Sequence, residues 1–523
     1  MIVRNIEGAS AFPFAETKNF APRKLTVKMP PLDQSTIERR ATIAEDLRRI
    51  VGKESVLDSE SERRPYESDG LAAYRALPLL VVLPQTTAQI ASILGYCHTN
   101  RIKVVPRGSG TSLSGGALPL EDAILLGTAR MSRILEVDAH NRIARVQPGV
   151  PNIKVTEAVK SLGLCYMPDP SSQAIATVGG NVAENSGGVH CLKYGVTSNH
   201  VCGLEAVLIT GEIIRIGGAF MGAADGEFDL ASVLIGSEGL LAVVTEISVR
   251  LTPEPPVARV ISLGFRSVED ASRCVGGLIA SGIVPAGLEF MDRRVIDAVA
   301  SMLGELHPPE VQAILLCELD GIEIEVDTLI ERVGEMTKQF SPAEVRISKS
   351  DAERELLWRG RKVAFGAMGK IARDVYVTDG TIPRAQLPEI LRRVDSLSKN
   401  YGLEYANCFH AGDGNLHPMV LFDSAKPGDL EKAEAFGADI LRACVDLGGV
   451  LSGEHGVGIE KRDLMTYQFR AIDLSQQQYL KCAFDPQEML NPGKVFPTHC
   501  GCVRTGRLPT GNGDPRFAGV PRF

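Results

Sequence analysis

The chain has 523 residues, room for about three domain-sized units, and its 44% apolar and 23% charged content excludes a disordered or fibrous protein. A net charge of −8 without a basic stripe argues against nucleic acid as a partner, and no apolar run approaches the roughly 18 residues that span a bilayer. Eleven scattered cysteines, with no C-x-x-C pair and no iron–sulfur run, suit a reducing, cytoplasmic compartment.

The first 30 or so residues mix Arg4, Arg23, Lys24 and Lys28 with Glu7 and Glu16, contain no apolar core of a secretory signal, and read as a loose extension. Ile37, Ile43, Leu47 and Ile50 recur at helical spacing and predict an amphipathic helix over 36–52. Residues 79–83, between Pro78 and Pro84, read as a strand. Thr86 and Gln89 then give a capping-box signal for a helix whose Ile90, Ile93, Leu94 and Cys97 share a face, and 103–105 is strand-like again. From there to Pro253 short strands dominate: 143–146, a hairpin at Thr210-Gly211, and the alternation of Val243, Thr245, Ile247, Val249 and Leu251.

Pro253, Pro255 and Pro256 interrupt the pattern and divide 76–254 from 255–496, with 1–75 as a helical extension in front. Beyond the prolines, helical stretches at about 267–281 and 323–338 alternate with apolar strands such as 313–319, in the manner of a ferredoxin-like sheet covered by helices. Strand, turn and strand over 403–421 lead to a helix starting near Asp429, and the Gly-, Pro- and Arg-rich 497–523 reads as a surface tail. Mixed α+β is the fold class expected.

Residues 106–116 read PRGSGTSLSGG directly after a predicted strand. The glycine spacing is not that of the dinucleotide fingerprint and no amphipathic helix follows, so a nicotinamide fold is not supported. Gly108 and Gly110 instead let backbone N–H groups converge, with Ser109, Thr111 and Ser112 as further donors, a nest suited to a pyrophosphate. PDPSS at 168–172, ATVGGNVAENSGG at 176–188 and LIGSEGLLAVVT at 234–245 add small residues with few charges, as close contact with a long cofactor requires.

In order and spacing, these segments resemble the flavin domain of the vanillyl-alcohol-oxidase and para-cresol-methylhydroxylase (PCMH) superfamily over about 76–253. The resemblance implies a PCMH-type FAD-binding domain at 76–254 and a ferredoxin-like α+β cap, or substrate, domain at 255–496. It implies cofactor contacts from Pro106, Arg107, Gly108, Ser109, Gly110, Thr111 and Ser112, and from Pro168, Asp169 and Ser171. Further contacts are implied from Thr177, Gly179, Gly180, Asn181, Ala183, Asn185 and Gly188, and from Gly239, Val243 and Asn491. Ser109 and Thr111 stand where covalent members of the superfamily carry a flavin-linking histidine, which implies noncovalent FAD.

CFHAGDGNLHP at 408–418 carries the strongest chemical signal. With Asp413-Gly414 as a two-residue turn, His410 and His417 face each other across a hairpin, their Cβ atoms about 5 Å apart. GGVLSGEHGVG at 448–458 offers Glu454 as a third ligand, and adjacent extended side chains diverge, which leaves His455 free as a base. Two His and one Glu suit a divalent ion with an open position, zinc first, while manganese and iron accept the same ligands.

These motifs, with WRGR at 358–361, Asp485-Pro486 and NPGK at 491–494, resemble the D-2-hydroxy-acid dehydrogenase branch of the superfamily, most closely the flavin-bearing subunits of bacterial glycolate oxidases. The resemblance implies His410, His417 and Glu454 as metal ligands, His455 as proton acceptor, and Arg361 as the clamp for the substrate carboxylate. It also implies iron–sulfur and accessory flavin subunits, or a quinone pathway, as electron acceptor, with the chain peripheral at the inner face of the cytoplasmic membrane. Relatives that oxidise 2-hydroxyglutarate carry a Lys after the Tyr of the next strand; here Tyr376 is followed by Val377, which points to a monocarboxylate such as glycolate or D-lactate. The alternatives are a D-2-hydroxyglutarate dehydrogenase or a flavin-dependent transferase of the alkyl-dihydroxyacetone-phosphate synthase type.

Overall fold

The computed structural model describes residues 29–217 and 229–497; the loose extension and all but the first residue of the expected tail lie outside them. The expected amphipathic helix is split at Arg39 into Gln34–Glu38 and Arg40–Val51, the first capped by the Asp33 side chain on the Ser35 amide. Ile43 and Leu47 are buried against a four-stranded sheet of order Val56–Leu57, Leu80–Val82, Ala123–Gly127 and Lys103–Arg107, the last three parallel. Thr87–Asn100 makes the crossover. Its N-cap Thr86 accepts from the Gln89 amide, but the Gln89 side chain turns to the Gln85 amide instead of closing the box.

A five-stranded antiparallel sheet follows, in the order Ile134–Asp138, Ile143–Val146, Val243–Arg250, Val201–Val207 and Ile213–Gly217. The alternation read from the sequence is the burial pattern of its central strand, whose Val243, Thr245, Ile247 and Val249 point inward. Helices Asn152–Val159 and Val178–Glu184 contribute Val155, Val159, Val178 and Val182 to the same core.

The second half of the chain builds a seven-stranded antiparallel sheet: Glu344–Ile347, Val257–Phe265, Ala313–Gly321, Gly287–Asp292, Tyr405–His410, Pro418–Phe422 and Asp374–Val377. In chain order its first four strands lie as four, one, three, two, the ferredoxin-like arrangement, with the extra helix Arg293–Leu303 between the second and third. Phe265, Leu315 and Phe409 pack under helices Val268–Ala280, Glu323–Thr337, Leu387–Tyr401 and Asp429–Asp446 on one face. On the other face Val260, Leu316 and Cys408 meet Arg293–Leu303 and Asp351–Met368. Among the described residues no helix is long and apolar enough to cross a membrane.

Candidate active site

A cavity of about 1240 Å³ draws its walls from both halves of the chain. The loop that leaves strand Lys103–Arg107 lines it from Pro106 through Ser112, joined by Asp169, Ser171, Thr177, Gly179, Gly180, Asn181, Ala183, Gly239 and Val243. The backbone N–H groups of 108–112 donate to no protein acceptor among the described residues. Gly110 has φ +74°, and a Cβ there would stand 2.3 Å from the Arg107 guanidinium, so the turn that gathers these amides requires glycine. Unengaged amides, hydroxyls and small side chains along a long cavity fit the diphosphate and body of a dinucleotide such as FAD.

Four of the expected contacts do not line the cavity; they hold its walls. The Pro168 carbonyl accepts from the Asn152 side chain at 2.8 Å. Asn185, at φ 53°, ends helix Val178–Glu184 and its side chain accepts from the Ser198 amide. Gly188 passes so close to Asp169 that a Cβ would stand 2.3 Å from its carbonyl oxygen. Asn491 donates to the carbonyls of Gly116 and Glu238 at 3.0 and 2.7 Å.

At the far wall, His410 and His417 aim their Nε2 atoms at one oxygen of Glu454, at 3.2 and 3.1 Å. The ligand atoms of the three lie within 4.8 Å of one another. The hairpin differs from the expected one: Asn407 pairs with Pro418 and His410 bridges Asn415, so the turn spans four residues, 411–414. Pairing on the outer side explains this, because Thr381 bridges Asn415 and the Ile382 amide donates to the Gly414 carbonyl, drawing the loop outward. A two-residue shift preserves facing, so the imidazoles remain on one side as diagonal neighbours, edge to face at 5.2 Å.

Each imidazole is anchored at its other nitrogen, His410 Nδ1 by Glu289 at 2.6 Å and His417 Nδ1 by the Thr378 carbonyl at 3.2 Å. Such outer partners fix ring orientation at metal centres, and this donor set fits a divalent cation. Burial opposes charge on His410, yet Glu289 and Glu454 push its pKa well above the usual imidazole range. Two anions on one ring thus call for positive charge at this point, from a proton or a cation.

Glu289 stands opposite His410 in the sheet, and its second oxygen accepts from Arg361 Nε at 2.7 Å. This is the only side-chain hydrogen bond of Arg361 among the described residues; the buried guanidinium lines the cavity from helix Asp351–Met368, one turn beyond Trp358. Arg359, by contrast, is exposed. His455 does not diverge as expected: its ring stacks on His417 at 4.8 Å, and its Nδ1 is buried without a hydrogen bond, 4.0 Å from Asp379. Burial pulls it down to about 4, so at neutral pH it is unprotonated and can accept a proton.

Residues 78–217 match the family described as FAD binding domain, and residues 254–495 match FAD linked oxidases, C-terminal domain. The chain is 47% identical over 484 residues to glycolate oxidase subunit GlcD of Escherichia coli, covering 92% of this chain and 97% of that one. The chain belongs to the FAD-linked oxidases. Within this family it is also 36% identical over 434 residues to a D-lactate dehydrogenase of Archaeoglobus fulgidus, across 82% of this chain and 94% of the relative. Its fold is that of substrate-bound p-cresol methylhydroxylase, with TM-score 0.75 at 18% identity over 90% of this chain and 98% of the other.

Two residues of this FAD-linked oxidase escaped the sequence reading. Glu289 is a carboxylate in the otherwise apolar GLEF run of a central strand, a signal visible only as a misfit. Asp379 is fully buried and accepts from the amides of Gly453, Glu454 and His455, from Ser452 Oγ and from Lys461 Nζ. Burial opposes its ionisation, but His455, Lys461 and His417 hold it well below the usual carboxylate range. It pins the Glu454 loop by its backbone, and nothing in its own sequence neighbourhood announces that.

Proposed function

We propose that this chain oxidises a small 2-hydroxy acid, glycolate or D-lactate, to the 2-oxo acid with noncovalently bound FAD. The observation that carries the reading is the convergence on one cavity of a nest of unengaged amides, a buried guanidinium whose side chain makes a single hydrogen bond, and a His/His/Glu ligand set of which His417 and Glu454 line the cavity. Bound FAD would supply the hydride acceptor for C2, and a divalent cation would supply the Lewis acid that lowers the pKa of the substrate hydroxyl. His410, His417 and Glu454 hold that cation, with zinc, manganese and iron all compatible.

The terminal nitrogens of Arg361 hold the substrate carboxylate in a bidentate contact, while Glu289 fixes the guanidinium plane. His455 takes the hydroxyl proton on its unprotonated ring, general-base help of roughly 10²- to 10⁴-fold. Val377 lines the cavity with Cys408 and Met419 and follows Tyr376, where relatives that oxidise 2-hydroxyglutarate carry a Lys, which supports a monocarboxylate. Iron–sulfur and accessory flavin subunits or a quinone would serve as electron acceptor; the description of the Escherichia coli relative as a subunit supports the first of these.

Anaerobic mixing with a panel of D- and L-2-hydroxy acids tests the reading. The flavin absorbance bleaches with glycolate or D-lactate within the turnover time; a chromophore that none of the acids reduces refutes it. Stopped-flow reoxidation tests the acceptor: rapid reaction with oxygen, at the rate of turnover and with peroxide formed, would make the chain a true oxidase and remove the need for a partner.

A further inference from the structure

Behind the loop that carries Glu454 and His455, two glutamates meet. Glu184 ends helix Val178–Glu184, and Glu238 lies in the turn before strand Val243–Arg250; both line the flavin cavity. Gly456 has φ +80°, and a Cβ there would stand 2.1 Å from Oε2 of Glu184 and 2.9 Å from Oε1 of Glu238. One on Gly116 would stand 3.0 Å from Oε1 of Glu184 and 3.7 Å from Oε2 of Glu238. The two carboxyl groups therefore face each other between the glycines of two cavity loops.

Their surroundings are unequal. Burial raises the Glu238 carboxyl too, but the Val457 amide on one oxygen and the Gly458 amide on the other, at 2.6 and 2.7 Å, oppose that rise and favour ionisation here over ionisation of Glu184. Glu184 Oε2 is buried and has no hydrogen-bond partner among the described residues. The nearby cations are engaged elsewhere: Lys461 with the Gly456 carbonyl and Asp379, Lys494 with the Leu118 carbonyl and the Asn491 side chain. Asp69, the third acid facing this cluster, takes the amides of Leu71 and Ala117. Facing carboxylates this close and this buried do not both ionise.

We propose that of Glu184 and Glu238 only Glu184 holds a proton, and that this neutral carboxyl is a positioning residue that donates its O–H to the cofactor in the flavin cavity. Burial and the facing Glu238 both push the Glu184 carboxyl well above the usual range, in keeping with that assignment. An ionised Glu184 would set a second buried negative charge beside an anionic cofactor. The inference concerns cofactor binding and stands whether or not a 2-hydroxy acid is the substrate.

The test is the pH dependence of flavin release on dilution of the holoenzyme, followed by flavin fluorescence. Wild-type affinity falls with rising pH with the slope of one proton, whereas Glu184→Gln, neutral at every pH and still a donor, gives a flat profile with affinity within about threefold of wild type at neutral pH. In infrared spectra the variant also loses one protonated-carboxyl band. A Glu184→Gln profile that keeps the wild-type slope, or a band that survives the substitution, overturns the proposal. Should that variant fail to fold, Glu238→Gln removes the fixed anion and moves the fall in affinity to lower pH; an unmoved profile overturns the proposal equally.

Discussion

The two ends of the cavity are built on opposite plans. At the flavin end the loop 108–112 presents backbone N–H groups that no protein acceptor uses among the described residues. At the imidazole end the ligand rings are tied at both nitrogens, His410 between Glu289 and Glu454 and His417 between Thr378 and Glu454, and the Glu454 amide is held by Asp379. A large cofactor brings its own acceptors, so its wall need only hold donors in place. A single cation and a reacting hydroxyl tolerate little displacement, so their ligands need outer partners that fix ring and carboxylate before anything binds.

Removing a tied group therefore costs more than trimming the flavin wall. Glu454→Ala takes away the oxygen that both imidazoles share; metal analysis should find the ion lost, and kcat/KM should fall by more than the roughly 10- to 100-fold typical of an outer partner. Near-normal turnover with no metal would break the comparison at its strongest point. Glu289→Gln leaves the ligands in place but loosens His410, so metal affinity, read by titration against a chelator, should weaken by about 10- to 100-fold. Arg361→Lys exchanges a planar fork for a point charge and should lower kcat/KM by about tenfold, or about 1.4 kcal/mol of transition-state stabilisation. Unchanged kinetics would move the carboxylate clamp elsewhere. On the flavin wall, Thr177→Ala removes the side chain that caps the Gly180 amide; a urea titration should show a loss of about 1 kcal/mol.

The same contrast explains what could be read from the chain alone. The seven residues Pro106 to Ser112 are consecutive, and a run of glycines and hydroxyls leaving a strand announces its own shape. The alternation through Val243 to Val249 likewise belongs to one strand and needed no partner to be recognised. Asn185, Gly188 and Asn491 have the same composition as true lining residues, but all three adopt positive φ, two to end or turn a segment and Gly188 to let the backbone pass close to Asp169, distinctions that only the folded chain makes. The Asp413-Gly414 turn signal was outweighed by pairing with Thr381, more than thirty positions upstream, which no local rule contains. Glu289 and Asp379 act on residues far along the chain, so their place in the site is a property of sheet order rather than of spacing.

Glu289 gives one oxygen to His410 and the other to Arg361. The arm that grips the acid group and the arm that faces the hydroxyl therefore turn on a common pivot. Substitutions at Arg361 and His410 should not add in a double-mutant cycle, because each alters the hold on the other. For a lineage or a designer seeking a new substrate, those two positions form a single inherited unit. Change is cheaper at Val377 and Met419, which touch the cavity without leaning on that pivot.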